Sequence, residues 1–412
     1  MIVTIDHLGG LGDGVALTPS GRLHIPFTAP GDRALVAPRG KDAAELRELV
    51  SPGPERVVPP CRHFGRCGGC ALQHIAPAFT ARWKRDRIVY ALSRVGLGAV
   101  AVAQTIAIPP SARRRATLAA KRLRSRVALG FAERGSHQLV DLAECPVMRP
   151  ELVALFPRLR AASSALLEVG ETADIALTLT DTGVDAVVAR GRPLTLQDRE
   201  TLARLAEDLD LARISWRPSA AGAAEPVAAR RRPTIRFGGR PVVVPPGAFL
   251  QPSVEGETAL TRLVAEGLGQ AAGSIADLFC GVGTFALPAA ARGRVDAFDS
   301  DAEAVAALQS AARALPLAAV NRDLFWEPLT PRELAGYAGA VIDPPRAGAE
   351  AQCQALARSS VPVIAYVSCN PISFARDAAI LTAAGYAPGD VTPVDQFLWS
   401  PHVELVGVFR RG

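Results

Sequence analysis

The residues best equipped for chemistry stand near the carboxyl terminus. Ser368-Cys369-Asn370-Pro371 closes the apolar run Ile364–Val367, so a strand carries Cys369 to its end and Pro371 forces a loop there. A thiol presented at such an edge is a candidate nucleophile. His402-Val403-Glu404 opens the last apolar run, and alternation puts His402 and Glu404 on one face, where either can serve as a base. Val341-Ile342-Asp343-Pro344-Pro345-Arg346 ends another strand, since two prolines cannot continue a ladder, and leaves Asp343 at its carboxyl edge.

Upstream, Asp277-Leu278-Phe279-Cys280-Gly281-Val282-Gly283-Thr284 reads as a strand running into a glycine turn and then a helix. The glycines permit a tight turn and close approach by a ligand, and Asp299 ends the next strand, where a carboxylate accepts from ribose hydroxyls. Gly281-x-Gly283-x-x-Ala286 also fits a dinucleotide fingerprint, so the turn alone indicates a nucleoside cofactor and leaves NAD and S-adenosylmethionine both open. The acid opening the turn, Asp277, and a terminal hairpin at Val391–Val394 and His402–Phe409 favour S-adenosylmethionine.

A second constellation lies near the amino terminus. Cys61-x5-Cys67-x2-Cys70, with Gly68 and Gly69 between the last two, is followed far along the chain by Cys145. Four cysteines of this kind suit a structural zinc or a four-iron cluster, and the spacing leaves the two open. Cys280 and Cys353 read as packing residues. Seven cysteines in a long chain do not resemble a secreted disulfide framework.

The elements that position these groups fall into three regions. Residues 1–50 alternate short apolar runs with glycine turns, the pattern of a small β-barrel. Residues 51–250 begin with a proline-rich linker and read as mixed α+β, with helices expected at Pro77–Val95, Glu151–Val169 and Leu196–Leu209. Residues 251–412 alternate strand and helix and end in the hairpin, which predicts a doubly wound, Rossmann-like α/β sheet. The chain has 412 residues and a net charge of +6, and all but three of its 46 basic residues are arginine. Guanidinium groups suit phosphate binding and base stacking, although a GC-rich genome produces the same bias. The densest basic stretch is Arg113–Arg126, where Arg122, Arg124 and Arg126 would share one face of a strand, with Arg113 and Arg115 preceding them. Apolar content of 49% excludes a disordered tail protein. Prolines break the long uncharged stretches and no apolar block opens the chain, so a cytoplasmic protein without a membrane span is expected, acting as a monomer.

Five motifs together carry a resemblance: Phe249-Leu250-Gln251, the Asp277–Gly283 turn, Asp343-Pro344-Pro345-Arg346, Ser368-Cys369-Asn370-Pro371 and His402-x-Glu404. In this order they resemble the S-adenosylmethionine-dependent RNA uridine-C5 methyltransferases, and over nearly the full length the chain resembles the 23S ribosomal RNA branch. The resemblance implies a class I methyltransferase domain, Cys369 as nucleophile and Glu404 as proton acceptor. It implies cofactor contacts from Gln251, Phe279, Thr284, Asp299, Asp323 and Asp343, and Phe249 as a stacking face for the target base. It makes Cys61, Cys67, Cys70 and Cys145 ligands of a [4Fe-4S] cluster rather than zinc, and residues 1–50 an RNA-binding barrel of the TRAM type. Thr284 stands where the family often has asparagine, Pro252-Ser253 follows Gln251 where asparagine is common, and Ser373 replaces a frequent threonine. Transfer RNA as the substrate, a non-catalytic RNA-binding protein and an NAD-dependent oxidoreductase are the competing expectations.

Overall fold

Glycine turns cut the first part of the chain into six strands: β1 (Ile2–Thr4), β2 (His7–Leu8), β3 (Gly14–Thr18), β4 (Gly21–Ile25), β5 (Arg33–Arg39) and β6 (Ala43–Ser51). The computed structural model describes residues 1–218, 222–269 and 273–412. The six strands form one sheet in the order β1-β5-β6-β4-β3-β2, wrapped around Val3, Ile5, Leu23, Ile25 and Val36, the inward set that alternation selects.

The middle of the chain contains α1 (Pro77–Ser93), β7 (Ile106–Ala107), β8 (Arg115–Arg122), β9 (Val127–Ala132), β10 (Leu139–Asp141), α2 (Pro150–Val153) and α3 (Phe156–Leu166). It continues with β11 (Thr172–Thr180), β12 (Gly183–Ala189), α4 (Leu196–Asp208), β13 (Arg213–Arg217), β14 (Glu225–Ala229), β15 (Thr234–Phe237) and β16 (Arg240–Val243). Strands β8 to β14 make a seven-stranded sheet with α3 and α4 against one face. Helix α4 begins with a reciprocal cap, Thr195 accepting from the Asp198 N–H while Asp198 accepts from the Thr195 N–H. The helix expected at Glu151–Val169 is two, α2 and α3. The strand expected to carry Arg122, Arg124 and Arg126 ends at Arg122. The Leu123 N–H donates to the Arg126 carbonyl at 2.8 Å, closing a hairpin turn, and the alternation that would align the three arginines stops with the ladder.

Packing crosses the division at residue 250. Ile88, Ala91 and Leu92 of α1 are buried with residues of the carboxyl-terminal sheet, and Ile235, Phe237 and Val242 of the β15–β16 hairpin pack on its other side.

The carboxyl-terminal region comprises α5 (Val254–Leu268), β17 (Ser274–Leu278), α6 (Ala286–Ala290), β18 (Val295–Asp299), α7 (Ala302–Ala311), β19 (Leu317–Asn321) and β20 (Tyr337–Ile342). Then come α8 (Glu350–Ala357), β21 (Val363–Ser368), α9 (Pro371–Ala383), β22 (Tyr386–Pro388), β23 (Thr392–Asp395) and β24 (Glu404–Arg411). The strand order β19-β18-β17-β20-β21-β24-β23, parallel except for β24, is that of a class I methyltransferase, and β7 adds itself beside β23. Strand β19 has no clear sequence signal, because Leu317-Ala318-Ala319-Val320-Asn321 is a short, alanine-rich edge strand. Ser253 caps α5, its Oγ accepting from the Gly256 N–H at 3.0 Å, and Ser373 Oγ donates to the Arg346 carbonyl at 3.2 Å. Both departures from the family pattern therefore have structural duties. No helix among the described residues is long and apolar enough to cross a membrane.

Candidate active site

Adjacent parallel strands bring their carboxyl ends to one edge, and the carboxylates of β17, β18 and β20 gather there. Asp277 is fully buried, and neither of its oxygens has a partner at hydrogen-bond distance, although the Ala286 N–H bears on it from the next helix. Burial, then Asp343 and Asp299, push its carboxyl well above the usual range. Asp299 closes the turn instead of standing free: Oδ2 accepts from the Gly281 N–H at 2.8 Å and Oδ1 from the Asp301 N–H at 2.9 Å. Gly283 has φ +99°, and a Cβ there would lie 2.5 Å from Leu308 Cδ1, so glycine is required by conformation and by space. At Gly281, with φ +52°, the Cβ position meets open space, which leaves that backbone free to approach a ligand. Thr284 follows, half-buried. Phe279 has φ +64°, and its ring lies 5.4 Å from that of Phe325; Asp323 fixes this neighbour by accepting from the Phe325 N–H at 2.9 Å.

Cys369 and Glu404 come from the antiparallel end of the sheet. Ser368 of β21 faces Leu405 of β24, so the same register sets Cys369 opposite Glu404. Burial pushes the Cys369 thiol up to about 11, Glu404 and Asp343 add to this, and Arg346 pulls the other way. Glu404 is buried and its carboxyl is pushed up to about 8 by burial and Asp343. Asp343 rises to about 7 through burial and Asp299, opposed by its bond from Gln251. Gln251 Nε2 donates to Asp343 Oδ2 at 3.1 Å, and Gln396 Nε2 donates both to Gln251 Oε1 at 2.8 Å and to Glu404 Oε2 at 3.0 Å. Arg114 anchors Gln251 by donating Nε to its carbonyl at 3.0 Å, while its guanidinium pairs with Glu257.

His402 does not share a strand face with Glu404. Strand β24 starts at Glu404, and Pro401 leaves His402 in the preceding loop, exposed and edge-on to the Phe397 ring at 6.0 Å. That loop is clamped from α1 and from the cysteine-bearing loop. Lys84, with its ammonium buried, pairs with Asp395 and donates to the Phe397 carbonyl at 3.1 Å, and Arg87 donates to the Pro401 carbonyl. The Ala71 and Leu72 N–H groups donate to the Trp399 carbonyl at 2.8 and 3.0 Å.

Phe249 is 66% exposed, and Arg115 stacks on one face of its ring at 4.8 Å while donating to the Leu250 carbonyl at 2.8 Å. The other arginines divide. Arg113 lines the cavity of the four cysteines; Arg122 donates to Ser164 Oγ, Arg126 pairs with Asp141 at 2.6 Å, and Arg124 is exposed in the turn. The structure therefore brings Arg113 and Arg115 toward the site and leaves Arg122, Arg124 and Arg126 away from any common strand face.

Cys61, Cys67, Cys70 and Cys145 line one cavity of ≈ 580 Å³ that reaches the loop at Phe397–His402. Burial pushes the Cys70 thiol up to about 12, and the charges of Cys145, Cys67 and Cys61 add to that. No group of three or more His, Cys, Asp or Glu side chains among the described residues stands at the spacing for a single metal ion. Cys280 and Cys353 are buried in the two cores flanking the sheet, as expected.

Gln396, Lys84 and Arg114 carry no motif, and only the fold makes them part of the site. An invariant-looking signal was present for none of them; Lys84 alone could have been noticed, as one of three lysines in the chain.

The family model described as tRNA (uracil-5-)-methyltransferase matches residues 243–411. A protein of Brucella suis biovar 1 named an uncharacterised RNA methyltransferase is 44% identical over 100% of this chain and 98% of its own length. The 23S rRNA (uracil(1939)-C(5))-methyltransferase RlmD of Pectobacterium atrosepticum is 31% identical over 99% of this chain and 93% of its own length. Among solved structures, the Pyrococcus abyssi tRNA (uracil-54, C5)-methyltransferase in complex with S-adenosyl-L-homocysteine superimposes with a TM-score of 0.76 at 24% identity, covering 99% of this chain and 100% of the other. The fold, the matched carboxyl-terminal region and relatives aligned from end to end agree, and the chain belongs to the RNA uracil-C5 methyltransferase family.

Proposed function

We propose that the chain is an S-adenosylmethionine-dependent enzyme that forms 5-methyluridine in 23S ribosomal RNA. The observation that carries the reading is the opposition of Cys369 and Glu404 across the β21–β24 ladder, beside the Asp343 edge. Uracil C5 is a weak nucleophile until C6 is substituted. Cys369 sulfur adds to C6, forming a C–S bond and an enolate with carbanion character at C5. When bound, S-adenosylmethionine would supply the methyl carbon to which C5 bonds, the S–CH3 electron pair remaining on sulfur as S-adenosyl-L-homocysteine leaves. Glu404 then accepts the C5 proton, the freed electron pair forms the C5–C6 double bond, and the C6–S bond breaks to return the thiolate. Arg346, whose charge favours the Cys369 thiolate, lowers the cost of the first step.

The donor set fits this cofactor. Asp299 and Asp343 form an acidic edge, with Asp277 buried and holding its proton beside them, and Gly281 leaves open space before it. Such an edge attracts a sulfonium and an ammonium and repels a diphosphate, which favours S-adenosylmethionine over NAD. Gln251, Phe279, Thr284, Asp299, Asp323 and Asp343 are the contacts proposed for the cofactor, with Asp299 contributing in part through the turn it closes. Phe249, with one face on Arg115, offers the other to a base taken out of its stack.

Cys61, Cys67, Cys70 and Cys145 hold a [4Fe-4S] cluster. Four half-buried cysteines around one roomy cavity would suit a cluster of several atoms better than a single ion, with their thiolates as the ligands. Bound there, it would tie down the loop whose Ala71 and Leu72 N–H groups hold the Trp399 carbonyl, a structural role. Colourless, zinc-containing protein purified without oxygen would contradict it.

The 23S target rests on the RlmD relative, aligned over nearly the whole chain. Transfer RNA is the second reading, favoured by the description of the family model. Mass spectrometry of ribosomal and transfer RNA from a deletion strain decides: loss of 5-methyluridine from 23S RNA supports the proposal, and loss from transfer RNA alone replaces it.

A further inference from the structure

Gln396 has no reactive group, yet it joins the two ends of the site. It follows β23, whose Val394 pairs with Glu404, so alternation returns Gln396 to the face of the ladder that Glu404 occupies. Lys84 brackets it, pairing with Asp395 on one side and donating to the Phe397 carbonyl on the other. Both hydrogens of Gln396 Nε2 are used, one on Gln251 Oε1 and one on Glu404 Oε2.

The ends of this chain of bonds dictate its direction. An ionised Asp343 only accepts, so Gln251 presents its nitrogen there and its oxygen to Gln396. Gln396 must then donate to Gln251, and its second hydrogen falls on Glu404. The arrangement leaves Gln396 Oε1 buried without a partner, against Gly256, where a Cβ would come within 2.4 Å of it. An unpaired buried amide oxygen is a loss that the two bonds of the nitrogen must outweigh. Among the described residues, the hydrogen bond to Glu404 falls on Oε2, and Oε1 accepts none.

We infer that Gln396 is a positioning residue for proton removal from uracil C5, holding Glu404 Oε2 as an acceptor and leaving Oε1 to take the proton. This rests on the reading of Glu404 as the base. The C5–H bond breaks, the proton goes to Glu404 Oε1, the electron pair forms the C5–C6 double bond, and the C6–S pair leaves on Cys369. Asp343, from the end of β20, disfavours the charge on Glu404, and Asp343 and Glu404 together disfavour the thiolate of Cys369 at the end of β21. Among these neighbours, Gln396 is the group that favours the carboxylate.

The test uses the full chain, a target RNA transcript, turnover against pH, and the covalent RNA–protein adduct as a second readout. Gln396→Leu should move the acidic limb of kcat up by about one pH unit, a tenfold loss below the limb. The adduct should accumulate, the rate should recover above the limb, and KM for RNA should stay within about twofold. Gln396→Glu, of the same size, should move the limb further up, because the added acid competes for the same protons. A wild-type-shaped profile in both variants, at an unchanged or uniformly lower rate, overturns the inference. So does loss of folded protein in both by circular dichroism, since an isosteric replacement of a positioning residue must leave the fold. If Glu404→Gln turns over normally, the reading of the base itself fails. If Glu404 is essential and the Gln396 limb does not move, only this inference falls.

Discussion

Replacing Glu404 by glutamine tests the electrostatics of the site without any substrate. The buried carboxyl lies at about 8 instead of its ordinary 4.5, chiefly from burial and secondly from Asp343. A group with a raised acidic pKa holds its proton in the folded protein while the unfolded chain has released it. Stability therefore falls as pH rises from about 4.5 to about 8, and the loss is complete above that. The full difference corresponds to about 5 kcal/mol at 1.36 kcal/mol per pH unit. Asp343 titrates in the same range and shares the repulsion, so about 3 kcal/mol is assigned to Glu404 itself. The amide keeps the shape and can still accept from Gln396 Nε2, yet has no charge to lose. The ligand-free protein and the Glu404→Gln variant should thus melt together near pH 5 and separate toward pH 8.5. There the variant should be the more stable by about 3 kcal/mol, about 3–4 °C in a thermal-shift assay for a chain of 412 residues. Parallel melting curves from pH 5 to 8.5 would refute the reasoning, because they would mean that Glu404 ionises in the folded site as easily as in the unfolded chain. With RNA and cofactor present the same variant should accumulate the methylated adduct, since only the proton acceptor is gone.

Cys369→Ala should abolish both methylation and adduct, read by tritium transfer and by gel shift under denaturing conditions; full turnover would sink the mechanism. Phe249→Ala should weaken RNA binding by about 1–3 kcal/mol with cofactor affinity unchanged, measured by filter binding and calorimetry, since a base loses one stacking face. Gly283→Ala should destabilise the protein by about 1–3 kcal/mol in chemical unfolding, because the methyl group meets Leu308 in a backbone conformation an L-residue avoids. Protein purified without oxygen should carry iron and sulfide and absorb in the visible, and Cys67→Ser or Cys145→Ser should lose both.

Strand ends were legible wherever a proline followed an apolar run. Asp343 and Cys369 follow from that signal and the ligand-facing turn from its glycines, and each stands at the strand end it predicts. Local chemistry suffices there, because proline ends a ladder and glycine permits a turn whatever the rest of the chain does. His402, Arg124 and Arg126 lie beyond the strands that alternation alone would extend to them, since β24 starts at Glu404 and β8 ends at Arg122. A ladder stops where its partner stops, and the partner lies elsewhere in the sequence. Strand β19 was missed for a related reason: its alanines pack adequately only because β18 pairs with them.

By itself the sequence determined which side chains are available for chemistry and where the chain must turn to present them. Their types and order were enough to name the family, because a thiol, an acid and a glycine turn are chemical facts that folding does not alter. The tertiary structure decided which of them meet. The register of β24 against β21 sets Cys369 opposite Glu404, across residues far apart in the chain. Burial then raises the carboxyls, and Gln251 and Gln396 join the ends of the acid pair. Proximity and burial are properties of the folded chain, and they set the proton affinities on which the chemistry depends.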